Sequence, residues 1–224
     1  MAGRTRAFVL SVALVAVAFA STAALAAPGD PKVAVKATDQ AHAKAILLKK
    51  SDLPGKGWSA KPVDFGGANP SCLVKKYNLG KLTATGQAGT EFGRQVDSGT
   101  FLVDSAARVF KTEAQAKQAL TIRSKLGAAK CLGKVLEAEA PTNAVASSSA
   151  TLFTIDGLAL PSVGYKVTVN VTIAGKTSKV TAVVLNFRRG RTINELNVLT
   201  LDKGWSKTVL HDVAAKVAAK TKSS

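Results

Sequence analysis

Two histidines, three acidic residues around one hairpin, two cysteines and a turn carrying three arginines are the side chains here from which chemistry could be built. Histidine is the usual general base and metal ligand at neutral pH, but His42 and His211 each fall inside a helical pattern. His211 and Asp212 are adjacent in sequence, and neighbours on a helix point about 100° apart, so they are not read as a dyad. The chain holds no Gly-x-Ser-x-Gly elbow, no phosphate-cradling glycine-rich loop and no Ser-x-x-Lys with its supporting motifs. Glycoside hydrolysis needs only two carboxylates, and Glu91, Asp97 and Asp104 flank one expected hairpin. Acidic residues in that position are ordinarily solvated, so a carboxylate-dependent hydrolase is the lesser reading and no catalytic residue is assigned. Cys72 and Cys131 lack Cys-x-x-Cys spacing, and the two histidines are too few to complete a metal site with them. One disulfide is expected, closing a long loop and contributing about 4 kcal/mol on the chain-entropy account. Arg188, Arg189 and Arg191 form the densest positive cluster. Three guanidinium forks on one turn could hold phosphate or carboxylate groups; a solvated hairpin tip that resists edge pairing is the other reading. No cofactor or metal is called for.

The elements that must position these residues begin after an export signal. Arg4 and Arg6, an apolar run from Ala7 to Ala20 and small residues ending at Ala24-Leu25-Ala26 have the three-part plan of a signal peptide over 1–26. Cleavage after Ala26 is expected, against retention as an anchor, and makes the protein secreted or extracytoplasmic. No other apolar run approaches the ~20 residues that span a bilayer. Loss of Arg4 and Arg6 lowers the formal charge from +17 to +15. Aromatics make up only 5% of the chain and do not interleave with the basic residues, so nucleic acid is not the expected partner. The spread of lysines suits an anionic cell-envelope component.

Residues 27–37, with two prolines, read as a flexible tether, and 38–221 as a single globular domain. Thr38-Asp39 can cap a helix running through "QAHAKAILLKK". "EFGRQVD" and "GTFLVDSAARVF" read as strands joined at Asp97-Ser98-Gly99. "KTEAQAKQALTIRSKLGAAKCL" reads as one helix, with Thr112 and Gln115 at capping-box spacing. Residues 137–150 read as a mobile connector, and "TLFTI" after it as the beginning of a strand. Tyr165, Val167, Val169, Val171 and Ile173 alternate with polar residues and give the clearest strand. "SKVTAVVLNF" and "TINELNVLTL" follow it through short turns as a meander, and a final helix is expected from about Lys203 to Lys220. The class is α+β: an antiparallel sheet of about five to six strands, helices mainly on one face, and one disulfide.

Trp58 and Trp205 each end a Lys-Gly-Trp tripeptide. Trp58 follows a proline-glycine helix stop and Trp205 falls in the first turn of the expected last helix. Both are read as core anchors at opposite ends of the fold, in preference to a paired ligand clamp.

The run "ILLKKSDLPGKGW" is followed by a cysteine, then by "VFKTEAQAKQAL" with a second cysteine in "KCL", then by the meander "VGYKVTVNVTIAGKTSKVTAVVLNFRRGR". This series resembles small exported proteins and lipoproteins of high-GC Gram-positive bacteria, and the extracellular sensor domain of PknH-type Ser/Thr kinases, over about residues 40–220. The "LPxxGW" element is also similar to the PsbP/Mog1-like fold. The sensor resemblance implies a non-catalytic α+β domain with a cleft for a small ligand. That family carries two disulfides, whereas only Cys72–Cys131 can form here, and this chain contains no kinase segment. The functional expectation is an exported, non-enzymatic, sensor-like domain that binds a small ligand or the cell surface. A polyanion or cell-wall polymer binder using the basic surface is the alternative.

Overall fold

The computed structural model describes residues 31–63, 79–96 and 99–223. The signal segment, Cys72 and Asp97 lie outside the described residues. Eight strands form one sheet: β1 (Lys32–Val33), β2 (Ser59–Pro62), β3 (Thr83–Val96), β4 (Gly99–Phe110), β5 (Val145–Phe153), β6 (Ser162–Ile173), β7 (Lys176–Arg189) and β8 (Thr192–Leu201). Their order is β1-β3-β4-β8-β7-β6-β5, with β2 also on the free side of β3. Every pairing is antiparallel except β1 with β3. Among the described residues four α-helices accompany it: α1 (Ala37–Ala45), α2 (Glu113–Arg123), α3 (Leu126–Ala138) and α4 (Lys207–Lys222).

The α+β class holds, but the sheet has more strands than the expected five to six, and the helices cover both faces. The extra strands lack the period-2 apolar pattern that marks a half-buried strand. β5 is "VASSSATLF": its end falls where "TLFTI" reads as a strand, and its start lies in the segment read as a mobile connector, where the Ser148 N–H is held by the Glu137 carboxylate at 2.6 Å. β1 lies in the segment read as a tether, where Lys32, Ala34 and Lys36 donate backbone hydrogen bonds of 2.7–2.9 Å along β3. Helices are needed on both faces because β7 is apolar on both. Val180, Ala182 and Val184 meet α2 and α3, while Val183, Leu185 and Phe187 meet α4 on the reverse side.

The single helix expected from Lys111 to Leu132 is two helices. Ser124 closes α2, its hydroxyl donating to Thr121 O at 3.0 Å, and Lys125 is extended before α3 begins. The break lets α2 lie across the middle of the sheet while α3 packs on β5 and β6. α4 starts at Lys207, later than expected, because Ser206 is its N-cap and accepts from Val209 N at 3.2 Å.

Asp39 is not a cap. It is buried inside α1, where it receives two hydrogen bonds from Arg191, at 2.9 and 3.1 Å, and one from Thr85 at 2.5 Å. Those bonds, Arg191 first and Thr85 second, hold its carboxyl below the ordinary 3.8. The stability Asp39 contributes is therefore present above pH 3.8 and lost as the pH falls through its lower folded value. Asp39→Asn is expected to destabilise the protein by about 2 kcal/mol at pH 7. Urea unfolding should show that gap closing in strong acid; a gap independent of pH would refute the ion-pair assignment.

Candidate functional site

The face of the sheet that carries α2 and α3 is apolar under β5, β6 and β7 and changes character toward β3 and β4. Register places Lys61, Glu91, Asp104, Asn197, Val184, Tyr165 and Leu152 in one row running from β2 across to β5. The next row reads Gly89, Ala106, Glu195, Asn186 and Val163, and beyond it stand Gln87, Arg108, Ile193 and Arg188. Side chains in a row stand side by side on one face, with opposed Cβ atoms about 4.5–5.5 Å apart. Three carboxylates, three amides and two arginines are thus gathered on β3, β4, β7 and β8.

Each carboxylate has a different setting. Glu91 pairs with Lys61 at 3.0 Å, but Lys61 is more than half exposed and the pair contributes little. Glu195 is bound by Arg123 from the C-terminal turn of α2 and by Asn197 Nδ2 at 2.9 Å. Burial pushes its carboxyl up, yet Arg123 and Arg108 outweigh that and hold it below the ordinary range. Asp104 stands between the other two with no hydrogen bond or ion pair from the described residues. Burial foremost, then the negative charges of Glu91 and Glu195, push it up to about 7, while Lys61 pulls weakly the other way.

The amides add unused acceptors. Asn186 is fully buried; its Nδ2 donates weakly to Val163 O at 3.5 Å and its Oδ1 has no partner. Asn197 Oδ1 is likewise buried and unpartnered. Ala106, Arg108, Phe110, Arg123, Ile193 and Glu195 line a small recess in the adjoining rows, with an accessible volume of about 10 Å³, room for about one water. Tyr165 ends the polar row, and burial pushes its phenol well up, so it stays neutral. The arrangement is rich in acceptors and holds one carboxyl near its titration point.

Glu91 and Asp104, two of the three carboxylates singled out in the sequence, are therefore direct cross-strand neighbours; Asp97 lies outside the described residues. Glu195, Asn186, Asn197, Arg108 and Arg123 were not anticipated. The available signal was polar residues on one face of two strands that are paired on both sides, Asp104 and Arg108 in "LVDSAAR" and Glu195 and Asn197 in "INELN".

The three arginines are placed apart. Arg191 holds Asp39 and the Phe110 carbonyl (3.0 Å), Arg188 donates to Gly190 O in its own turn at 2.9 Å, and Arg189 is exposed. His42 contacts the Thr192 hydroxyl at 3.2 Å on α1, remote from the carboxylates in register. His211 Nδ1 lies 3.7 Å from Asp212 on the surface of α4. Cys131 is buried on α3 and is not a free thiol; its expected partner Cys72 lies outside the described residues. Among the described residues no group of three or more His, Cys, Asp or Glu could hold a metal ion, and no helix is long and apolar enough to cross a membrane.

The tryptophans are not at opposite ends of the fold. Trp58 and Trp205 meet edge to face with centroids 6.2 Å apart, and Trp205 also stacks on Phe101 at 6.3 Å. The sheet causes this, because β8 delivers residue 205 beside the β3–β4 end where Trp58 packs. Trp58 is buried, donates to Pro54 O at 2.9 Å, and carries Arg94 5.9 Å above its ring. Gly57, at φ +87°, makes the bend that admits it. Both rings belong to the core beneath α4, on the face opposite the carboxylates.

No family model matches the sequence, and no curated protein matches it. The fold is similar to solved structures, among them the extracellular domain of PknH from Mycobacterium tuberculosis, with a TM-score of 0.50 and 11% identity. The match covers 83% of this chain and 97% of that one. At that identity the likeness concerns the fold.

Proposed function

We propose that this chain is an exported, non-enzymatic, sensor-like binding domain whose small ligand sits on the polar half of the α2/α3 face of the sheet. The observation that carries the reading is Asp104, a carboxyl group in a central strand with neither hydrogen bond nor ion pair among the described residues, on a face with two buried amide oxygens without partners, that of its neighbour Asn197 and that of Asn186 on β7. Buried polar groups are ordinarily satisfied, and a set left open is completed by something else. The fold likeness to an extracellular sensor domain is in keeping with this, as is the signal-like N-terminal segment. Cleavage after Ala26 and a Cys72–Cys131 disulfide belong to the same proposal. A screen of envelope polymers and small metabolites, read by backbone NMR, tests it. Perturbation centred on Glu91, Asp104 and Glu195 supports the reading; no perturbation of that face by any compound ends it.

The direct opposition of Glu91 and Asp104 favours one second reading, a carboxylate hydrolase. A protonated carboxyl beside an ionised one is the arrangement of a general acid with its partner. Turnover of aryl glycosides that is abolished by Asp104→Asn and Glu91→Gln would establish it. Rates equal to buffer across the glycoside panel would dismiss it.

A further inference from the structure

Resting on the binding reading above, the identity of the ligand can be narrowed. We infer that this face takes an organic cation, an ammonium or guanidinium head seated against Asp104 and Asn197, with a further N–H or O–H donor reaching toward Asn186. The argument is one of charge and hydrogen-bond count. Of the three carboxylates on the face, Glu91 is paired by Lys61 and Glu195 by Arg123, and Asp104 has no ion pair among the described residues. The open position beside it, Asn197 Oδ1, and the one farther along the face on β7, Asn186 Oδ1, are acceptors, so the occupant must donate. An anion would find Lys61 and Arg123 already engaged by Glu91 and Glu195 and would meet only acceptors at Asp104 and Asn197, and a purely apolar ligand would bury Asp104 and both amide oxygens still unsatisfied, which is strongly unfavourable. The described carboxylates do not gather tightly enough to hold a metal ion, so the cation is organic. Ammonium and guanidinium groups meet carboxylates through short, charge-assisted hydrogen bonds.

A proton competes for the same place. The charged groups facing Asp104 are Glu91 on β3, Glu195 on β8, Lys61 on β2, Arg108 on its own strand and Arg123 from α2. With its carboxyl titrating at about 7, Asp104 is about one-tenth ionised at pH 6 and about nine-tenths at pH 8. A cation that requires the ionised form therefore binds about tenfold more tightly at pH 8.

Isothermal titration with agmatine and putrescine, against 1,4-butanediol as the neutral analogue and succinate as the anion, tests the inference. Binding of either cation at pH 8, weakened about tenfold at pH 6 and at least tenfold by Asp104→Asn, is the expected result. Thermal unfolding of Asp104→Asn confirms that the variant is folded, and the pH arm uses the unaltered protein. Cation binding indifferent to both pH and Asp104→Asn would overturn the inference, as would equal binding of the diol. If only the diol or succinate perturbs the Asn186 and Asn197 amide resonances, the cation is wrong and the binding face stands. If neither these probes nor the wider screen perturbs that face, both readings fall.

Discussion

Asp104→Asn is expected to be more stable than the unaltered protein by about 2–3 kcal/mol at pH 8, and equal to it within about 1 kcal/mol at pH 4. The carboxyl titrates at about 7 in the fold, against an ordinary 3.8. Between those values the folded state holds a proton that the unfolded chain has released. Stability contributed by the neutral carboxyl is thus fully present below pH 3.8 and is lost as the pH rises through about 7. The whole displacement corresponds to about 4 kcal/mol, at about 1.4 kcal/mol for each pH step. Partial exposure of Asp104 and the nearby Lys61 reduce that figure. Asparagine keeps the shape and removes the charge, so it escapes the penalty at high pH only. Urea unfolding at the two pH values is the check, and an unchanged or lowered stability at pH 8 would contradict the placement of Asp104. A side chain that destabilises its own fold at neutral pH is characteristic of a functional site.

Gly86→Ala is expected to destabilise the protein by about 3 kcal/mol or more. A Cβ on Gly86 would overlap the Asp39 carbonyl and lie 2.7 Å from Gln40 N, so the backbone of α1 would have to lift from β3. That helix cannot lift freely. Asp39 is tied to Arg191 and Thr85, and Gln40 makes two hydrogen bonds to the Gln87 backbone, at 2.7 and 3.0 Å. Overpacking against fixed backbone is among the costlier single changes. Gly204→Ala is the control, because a Cβ there would meet only Thr200 Oγ1 at an ordinary 3.8 Å. Equal thermal stability of the two variants would refute the close packing of α1 on β3.

The same contact explains part of what the sequence concealed. The first half of β3, "TATGQAG", has no apolar alternation because α1 packs against backbone there and needs small residues. The first part of β5 is hidden for a related reason: its Ala146, Ser148 and Ala150 lie beneath α3 and contribute little side-chain signal. The meander from Tyr165 to Leu201 and the last helix were legible, since Val, Leu and Ile recur there at strand and helix periods. Which face the helices would cover was not, because the apolar density of β7 reads the same in a one-sided and a two-sided sheet.

The candidate site was half legible. Glu91 and Asp104 stood out as acids flanking one hairpin, and their opposition follows from its register. The role of Glu195 and the two asparagines depends on β8 lying between β4 and β7, a long-range pairing that no local pattern encodes. The twin Lys-Gly-Trp tripeptides pointed to the core but not to each other. Their ring contact likewise depends on the position of β8 in the sheet.

The most direct measurement of the central claim is a carbon-13 NMR titration of the Asp104 side-chain carboxyl, in the free protein and with saturating putrescine. The account predicts a midpoint near 7 in the free protein that moves down toward the ordinary carboxylate range when the cation is bound. A free-protein midpoint already in the ordinary range, or a midpoint near 7 that putrescine leaves unmoved, would contradict it.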